Sequence, residues 1–429
     1  MSGWTRRRFL KATGAAAAAG PVIIAKARGE VEPSERIRHA VIGTGGQGTE
    51  HCASFAQAPG CEVVAVCDVD AGRRAKAAKA LPNAEQVAQY EDFRKLLEDA
   101  SIDTVSIATA DHWHAPIALA AMMAGKHVYV EKPCGHTVIE CELLVEAAKK
   151  FNKCVQHGTQ NRSGPANKAG IEFLRQGGVG KVRMAKAINH QMRGPIGRAP
   201  ESDPPEGVNY DLWIGPGPKR PFTRNRFHYN WHWLWDFGAG DLGNDGIHQI
   251  DVARWGLGVG YPKAVIASGG QLFYDDDHET PDTQTIVFEY DDCHLLYEMR
   301  LWTRYPLEGH TNGDIFYGDE GTVELGRNEP IVKRVGEEPR KIEGEGISVV
   351  RHATNFLDAV RANDPAILDA PIEEAAASAI CCHLGNIATR LGGGKIVYDP
   401  ATRTIPGNAE ATRLLSRQYR AGFELPYKG

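Results

Sequence analysis

Residues 37–48 read IRHAVIGTGGQG, a short apolar run with β-branched residues followed by a glycine-rich loop. The apolar run predicts a β-strand, and the loop has the spacing GxGxxG. Glycines in this spacing let the chain turn tightly, so that backbone N–H groups of the next helix can approach a pyrophosphate. The alternative is a glycine turn that holds no ligand. We predict a dinucleotide-binding loop formed by Gly43, Thr44, Gly45, Gly46, Gln47 and Gly48.

A carboxylate follows this loop at the distance that a dinucleotide site requires. The next apolar run ends in Asp68, twenty residues past Gly48. A carboxylate at the end of the second strand accepts hydrogen bonds from the adenosine ribose and repels a 2′-phosphate. Asp68 therefore favours NAD over NADP, although Arg73 and Arg74 leave NADP open.

Strand and helix patterns alternate through the first third of the chain, which predicts βαβ units and a parallel sheet buried on both faces. The predicted strands are Ile37–Ile42, Val63–Asp68, Thr104–Thr109, His127–Glu131 and Cys154–Thr159, and the helical segments between them include Ala71–Ala80 and Ala115–Ala124.

The pattern changes near Gly158, where strands begin to follow one another closely. These predicted strands are Val182–His190, Ala264–Leu272, Thr283–Tyr290, His294–Thr303, Asp314–Tyr317 and Thr322–Leu325, with helices at Val349–Ala362 and Ile372–Leu391. Strands without intervening helices favour antiparallel pairing. We therefore predict an α/β protein with an N-terminal Rossmann domain and a C-terminal α/β domain, the latter carrying a large, mostly antiparallel open sheet.

The N-terminus has the layout of a bacterial export signal. Residues 5–11 read TRRRFLK and precede an Ala-rich, weakly apolar stretch that ends in Ala25-Lys26-Ala27. Paired arginines before Phe-Leu-Lys resemble the twin-arginine type of signal, with a disordered basic tail as the alternative. The predicted organisation is a signal at 1–27, a linker at 28–35, the Rossmann domain at 36–157, the substrate and oligomerisation domain at 158–395 and a tail at 396–429.

The charge and cysteine content of the chain indicate which partners it can bind and in which compartment it folds. With a net charge of −5, the chain lacks the excess of basic residues that is typical of nucleic-acid-binding proteins, so no nucleic-acid partner is expected. The nine cysteines form no CxxC pair and several lie in apolar runs, which indicates buried thiols. Free thiols suit a chain that folds in the cytosol and then leaves by the twin-arginine machinery for the periplasm or cell envelope.

Further motifs occur in order along the chain. Thr109–His114 reads TADHWH, Glu131–Pro133 reads EKP, Gly246–His248 reads GIH and leads through Asp251 into ARW, and Gly318–Thr322 reads GDEGT. With the glycine loop, these motifs make the chain resemble the Gfo/Idh/MocA family of sugar and cyclitol oxidoreductases. The resemblance covers roughly residues 36–394, and its most specific element is EKP after a Rossmann strand.

The resemblance implies roles for particular residues near the cofactor. Lys132 would lie beside the nicotinamide and the reacting hydroxyl, where its ammonium can hold the substrate oxygen and pass a proton. A surface lysine that caps the strand is the alternative. The other residues implied in cofactor binding are Thr109, Asp111, His114, Glu131 and Gln160. An Asx turn with an aromatic loop is the alternative for Asp111 and His114.

His248 matches the family's catalytic general base, although it could instead be a buried structural histidine. The family often has aspartate four residues before this histidine, where this chain has Asn244. Asp245 lies three residues before it, and both positions lie on the same face of an α-helix as His248. Asp245 is therefore predicted to assist His248 in catalysis.

The segment Phe227–Asp236, FHYNWHWLWD, is rich in aromatic residues. On a strand, alternate spacing would place Trp231, Trp233 and Trp235 on one face, where they could stack on a sugar ring; packing between domains or subunits is the alternative. The predicted substrate-binding residues are Lys132, Arg162, Trp231, His232, Trp233, Asn244 and His248. A metal site built from His228, His232, Asp236 and His248 has no standard ligand spacing, and none is predicted.

Together these features predict an enzyme that transfers hydride between tightly held NAD(P) and a hydroxyl or keto carbon of a sugar or cyclitol. Export favours a retained cofactor, because free NAD is scarce outside the cytoplasm. One alternative is redox-neutral, NAD-dependent glycoside cleavage by oxidation, elimination and re-reduction. Another is a non-catalytic sugar-binding protein. A homodimer or homotetramer is expected.

Overall fold

The computed structural model describes residues 36–326 and 329–429. The predicted signal and linker lie outside the described residues. The first part of the described chain contains β1 Ile37–Ile42, α1 Gly46–Gln57, β2 Cys61–Cys67, α2 Ala71–Ala80, β3 Ala88–Tyr90, α3 Phe93–Leu97, β4 Thr104–Ile107, α4 His114–Met123, β5 His127–Val130, α5 Val138–Phe151 and β6 Val155–His157.

These six strands form one parallel sheet in the order β3-β2-β1-β4-β5-β6. The strand order reverses between β1 and β4, and ligands of open α/β sheets bind at such a switch point, outside the carboxyl ends of the strands. The loops after β1 and β4 both start at this edge. The predicted Rossmann sheet is confirmed, and β3 is an additional edge strand that the sequence patterns did not predict.

The remaining elements are α6 Pro165–Arg175, β7 Val182–Asn189, α7 Tyr210–Ile214, α8 Ile247–Leu257, β8 Ala264–Gly270, β9 Thr283–Glu289, β10 His294–Arg300, β11 Asn312–Gly318, β12 Gly321–Leu325, β13 Ile331–Arg334, β14 Arg340–Lys341, α9 Val349–Ala362, α10 Ile372–Arg390, β15 Gly394–Ile396 and α11 Ala409–Arg413. Short 3₁₀ turns and one π-helical turn lie between them.

The second sheet has nine strands in the order β14-β13-β12-β11-β7-β10-β9-β8-β15. Its pairs are antiparallel except for β7 and β10, which run parallel. The prediction of a mostly antiparallel second sheet is confirmed.

Helix α10 connects the hydrophobic interiors of the two sheets. It packs against α5, α8 and β8, and its residues from Ala375 to Thr389 are buried. One cluster of buried side chains therefore continues from Val130 of the first sheet to Phe288 of the second. In the described chain, no helix combines the length and hydropathy that a membrane span requires.

Candidate active site

The carboxyl edge of the parallel sheet opens into a cleft of about 350 Å³. The glycine loop after β1, the end of β2, the segment after β4 and the residues after β5 all line it. The predicted cofactor residues that face this cleft are Gly43, Gly45, Gly46, Gln47, Asp68, Thr109, Asp111, His114, Glu131 and Lys132. Thr44 and Gly48 lie in the loop itself, and Gln160 lies elsewhere.

The glycine loop has the shape that a pyrophosphate site needs. Gly43 has a positive φ of 84°, and a Cβ there would lie 2.7 Å from the backbone of Ala108. Helix α1 begins after Gly45, and no side chain caps its N-terminus. The first N–H groups of a helix lack partners within the helix, so this end of α1 can donate to an anion. The loop therefore fits a dinucleotide.

Gly48 allows the loop and α1 to pack together. A Cβ on Gly48 would lie 1.7 Å from the carbonyl oxygen of Gly43, whereas a Cβ on Gly46 meets no atom within 4 Å. We expect Gly48→Ala to lower the thermal unfolding temperature, because the backbone of the loop must move. Gly46→Ala is the matched control and should be neutral or slightly stabilising, by about 0.4–1 kcal/mol. Equal unfolding temperatures for both variants without NAD would contradict this account of the loop.

Asp68 lies against the glycine loop at the adenosine end of the cleft. Its Oδ2 accepts hydrogen bonds from the N–H and Oγ1 of Thr44, at 2.7 and 3.0 Å. Thr44 therefore acts in the loop by orienting this carboxylate. Arg73 also lines this end of the cleft, which is where a 2′-phosphate would lie.

A segment that follows the first sheet in the chain contacts the same end. The N–H of Ala71 donates to the carbonyl of Gly207, and the N–H of Asn209 donates to the carbonyl of Val69. Farther along, Nε2 of His228 lies 3.2 Å from a carboxylate oxygen of Asp70. These contacts join the segment around Gly207 and His228 to the start of α2 and the residues before it.

Glu131 is a buried carboxylate that joins the helix after the glycine loop to the EKP motif. Its Oε1 lies 3.0 Å from Nε2 of His51 and accepts from Nε2 of Gln47, while its Oε2 accepts from the N–H of Lys132. Although burial raises its pKa, the hydrogen bond from His51 and the nearby charges of His51, Lys132 and His248 outweigh burial and lower the pKa to about 2. Glu131 is therefore ionised and holds the backbone of Lys132 in place.

The ammonium of Lys132 is held from the opposite side of the cleft. Its Nζ donates to Oδ1 of Asn244 at 3.0 Å. The Nδ2 of Asn244 donates in turn to Asp241, a buried carboxylate that also accepts from Arg193. Asparagine at position 244 therefore positions the lysine within a polar network, which an aspartate could also do but with an added negative charge.

Asp111 and His114 belong to the segment after β4. Burial raises the pKa of Asp111 to about 7, with Lys132 acting against this shift. His114 places Nδ1 2.7 Å from the carbonyl oxygen of Pro133 and Nε2 3.0 Å from that of Thr109. His114 therefore links the two motif segments through their backbones.

A second cavity, of about 440 Å³, lies on the other side of the same turn, since Asn244 lines the cleft and Asp245, the next residue, lines this cavity. Amide side chains dominate its wall, and His248, Asp245 and Asp314 also face it. The amide side chains are those of Gln160, Asn161, Asn167, Gln249 and Asn312.

Several acceptors in this wall lack hydrogen-bond partners among the described residues. They are Oε1 of Gln160, Oε1 of Gln249 and Oδ1 of Asp314, all of them buried. Burial and the charge of Asp251 raise the pKa of Asp314 well above its usual value, which favours a carboxyl group that can donate as well as accept a hydrogen bond. Unpartnered buried acceptors favour a ligand that brings hydroxyl donors.

Two family models match the chain in the order of the two sheets. The oxidoreductase family with NAD-binding Rossmann fold, GFO_IDH_MocA, matches residues 37–159, and the C-terminal α/β domain of the same family matches residues 193–323. The chain belongs to the Gfo/Idh/MocA family of oxidoreductases. The predicted family and the predicted NAD-binding Rossmann domain are thereby confirmed.

Curated relatives include two proteins of Saccharopolyspora erythraea. A glycosyl hydrolase family 109 protein is 37% identical over 175 residues, which are 35% of this chain and 38% of that protein. An inositol 2-dehydrogenase is 27% identical over 348 residues, or 78% of this chain and 86% of the relative. The match to the first therefore spans less than half of its length.

Solved structures show the same fold. An aldose-aldose oxidoreductase from Caulobacter crescentus superposes with a TM-score of 0.66 at 18% identity, covering 84% of this chain and 99% of that one. A levoglucosan dehydrogenase in complex with NADH and levoglucosan superposes with a TM-score of 0.65 at 19% identity over the same shares.

The predicted strand geometry of the aromatic segment of this Gfo/Idh/MocA protein is wrong. Residues Asn230–Trp233 form a 3₁₀ turn, so the three tryptophans do not share a strand face. Trp231 stacks on His232, and both line the cleft, whereas Trp233 is 2% exposed in the core. Trp235 lies against Arg390, away from the cleft. Trp233 is therefore not brought to the site.

The prediction that Arg162 binds substrate is also not supported by its position. The guanidinium makes a bidentate pair with Asp251, at 2.7 and 3.0 Å, and both side chains are buried. Arg162 therefore helps to hold α8 in place through its pair with Asp251.

The helical argument for Asp245 does not hold either, because Leu242–Gly246 is a π-helical turn and its spacing departs from that of an α-helix. Asp245 instead accepts from Asn312 at 2.7 Å and from Gln191. It lines the second cavity together with His248.

The cleft also contains Leu212 and Trp213 of α7, which the sequence patterns did not predict. Phe227, His228 and Tyr229 of the aromatic segment line it too, although they were not among the predicted substrate-binding residues. No motif in the sequence marks Leu212 or Trp213. Within residues 36–326 and 329–429, no group of three or more His, Cys, Asp or Glu side chains is arranged to hold a metal ion.

Proposed function

We propose that this protein is an NAD-dependent oxidoreductase that acts on a CH–OH group of a neutral sugar or cyclitol. The observation that carries the proposal is the position of Lys132. Its side chain lines the nucleotide cleft and its ammonium donates to Asn244, the residue that precedes Asp245 in the wall of the second cavity. NAD, when bound, supplies a hydride acceptor.

The residues of the chain provide the remaining functions. Lys132 holds the substrate oxygen and stabilises the negative charge that develops on it as the proton leaves. His248, in the second cavity, is the group proposed to take that proton. The unpartnered oxygens of Gln160 and Gln249 accept hydroxyl hydrogens and orient the ring.

Redox-neutral glycoside cleavage is the second candidate, and the relative named as a glycosyl hydrolase family 109 protein favours it. It would use the same cleft and the same lysine. Release of an aglycone without net formation of NADH distinguishes it from simple dehydrogenation.

We also propose that the folded protein is exported with its cofactor in place. The twin-arginine pattern at residues 5–11 supports export, and nine free cysteines, seven of them buried, support folding in a reducing compartment. The segment around Gly207 and His228 that covers the adenosine end supports retention of NAD.

One preparation tests these proposals. The full chain is expressed in a bacterium, recovered from the periplasmic fraction, passed through gel filtration and denatured, and the released small molecule is identified by mass and absorbance. We expect stoichiometric NAD or NADH, and reduction of bound NAD when a polyol panel is added. Recovery only from the cytoplasm would contradict export. An empty protein would contradict retention, and a panel of polyols and glycosides without any turnover would contradict the proposed activity.

A further inference from the structure

A third cavity, of about 670 Å³, lies apart from the cleft and the second cavity and shares no lining residue with either. Its wall is formed by the end of α10, the tail around α11 and the segment Trp235–Ala239. We name it the arginine cavity after Arg390, Arg413 and Arg417, which all line it.

Positive charges outnumber negative ones among the described lining residues of this cavity. Asp236 is the one carboxylate among them, and Arg220 contacts it from outside the cavity. No described carboxylate forms an ion pair with Arg390 or Arg413. Arg390 stands over the ring of Trp235 at 4.7 Å, which orients its guanidinium, and the charges of Glu279 and Asp236 act on it from beyond ion-pair distance.

Arg417 is the third guanidinium in this wall. Its Nε donates to Glu140 at 2.7 Å and its Nη2 donates to the carbonyl of His112. Its Nη1 is enclosed and has no hydrogen-bond partner among the described residues. An unsatisfied donor on a charged group is costly, and an oxyanion would satisfy it if the side chains around Nη1 moved to admit one.

Helix ends account for only part of this arrangement. Arg390 and Arg413 are the last residues of α10 and α11, where a cation interacts favourably with the helix dipole. That effect explains neither the unpartnered nitrogen of Arg417 nor the convergence of three guanidinium groups. Ser416, Thr137 and Gln418 add neutral donors to the same wall.

We propose that the arginine cavity binds a phosphate-type oxyanion, such as the phosphate group of a phosphorylated small molecule. Guanidinium groups match the geometry of phosphate oxygens and form charge-assisted hydrogen bonds with them. The cavity volume leaves room for the rest of such a molecule. This site is separate from the proposed reaction, and neither depends on the other.

The test uses the intact protein saturated with NAD, so that the N-terminus of α1 cannot compete for the probe. Inorganic phosphate is titrated by calorimetry at constant ionic strength, and the fluorescence of the tryptophans is followed in parallel because Arg390 covers Trp235. We expect one saturable site and a fluorescence change over the same concentration range.

The variant Arg390→Gln/Arg413→Gln removes two charges and leaves Arg417, which anchors the tail, intact. We expect its phosphate affinity to fall at least about tenfold, because two charge-assisted contacts are lost. Arg175→Gln is the matched control, since Arg175 is exposed and lines none of the three cavities. Circular dichroism verifies that both variants fold. Absence of saturable binding to the unmodified protein, or equal affinity in the double variant, would overturn the proposal.

Discussion

Lys132→Met is expected to reduce kcat/KM by roughly 10²–10⁴ and to leave NAD bound. Methionine keeps an unbranched side chain of similar length but removes the ammonium that bonds to Asn244. The substrate oxygen then loses the cation that holds it and stabilises its charge. The measurement is the rate at which bound NAD is reduced by the polyol that the unmodified protein oxidises most rapidly.

Lys79→Met is the matched control for this variant, because Lys79 is exposed in the last turn of α2 and lies outside the cleft. It should keep full activity. If Lys132→Met retained more than about a tenth of the activity, the lysine would not supply the charge stabilisation assigned to it and the proposed mechanism would be wrong.

Asp251→Asn is expected to destabilise the protein by about 3–5 kcal/mol and to lower its thermal unfolding temperature by several degrees. The substitution keeps the size of the side chain but leaves Arg162 buried without its carboxylate partner. Asp251 also accepts a hydrogen bond from Oγ of Ser378 on α10, so the substitution weakens the contact between α8 and α10 as well. Glu374, which is partly exposed, compensates only in part.

The pH dependence of this effect has a definite sign. Burial raises the pKa of Asp251, but the charge and hydrogen bonds of Arg162 outweigh burial and hold the pKa below its ordinary value of 3.8. A depressed pKa stabilises the fold above about pH 3.8, and this contribution is lost as the pH falls below that value. The difference in the free energy of unfolding between Asp251→Asn and the unmodified protein should therefore become smaller at acidic pH.

Two further variants separate a lost charge pair from a general loss of packing. Asp292→Asn removes a partner of the exposed pair with Lys181 and should leave the stability nearly unchanged, because solvent screens exposed pairs. Arg162→Met/Asp251→Leu removes both buried charges and should recover part of the stability lost in Asp251→Asn. A double variant less stable than Asp251→Asn would show that packing, and not the uncompensated charge, dominates.

Local sequence was sufficient for the parallel sheet and for the nucleotide end of the site. The strand β1 and the helix α2 have the predicted bounds, because their apolar or Ala-rich patterns agree with their local conformation. The prediction of the glycine loop succeeded for a similar reason, since Gly43 and Gly48 are required by contacts within one βαβ unit and its neighbouring strand. Strand β3 was missed because it has three residues and a largely exposed pattern.

Sequence by itself thus determined the fold class, the family and the position of Lys132 at a strand end. Tertiary structure decided what the side chains farther along the chain do. Arg162 pairs with Asp251 across 89 residues, and Asp245 meets Asn312 across 67. Trp231, Trp233 and Trp235 separate because a 3₁₀ turn, not a strand, carries them. Burial and charge pairing act between residues that only the folded chain brings together, so local sequence patterns do not predict these contacts.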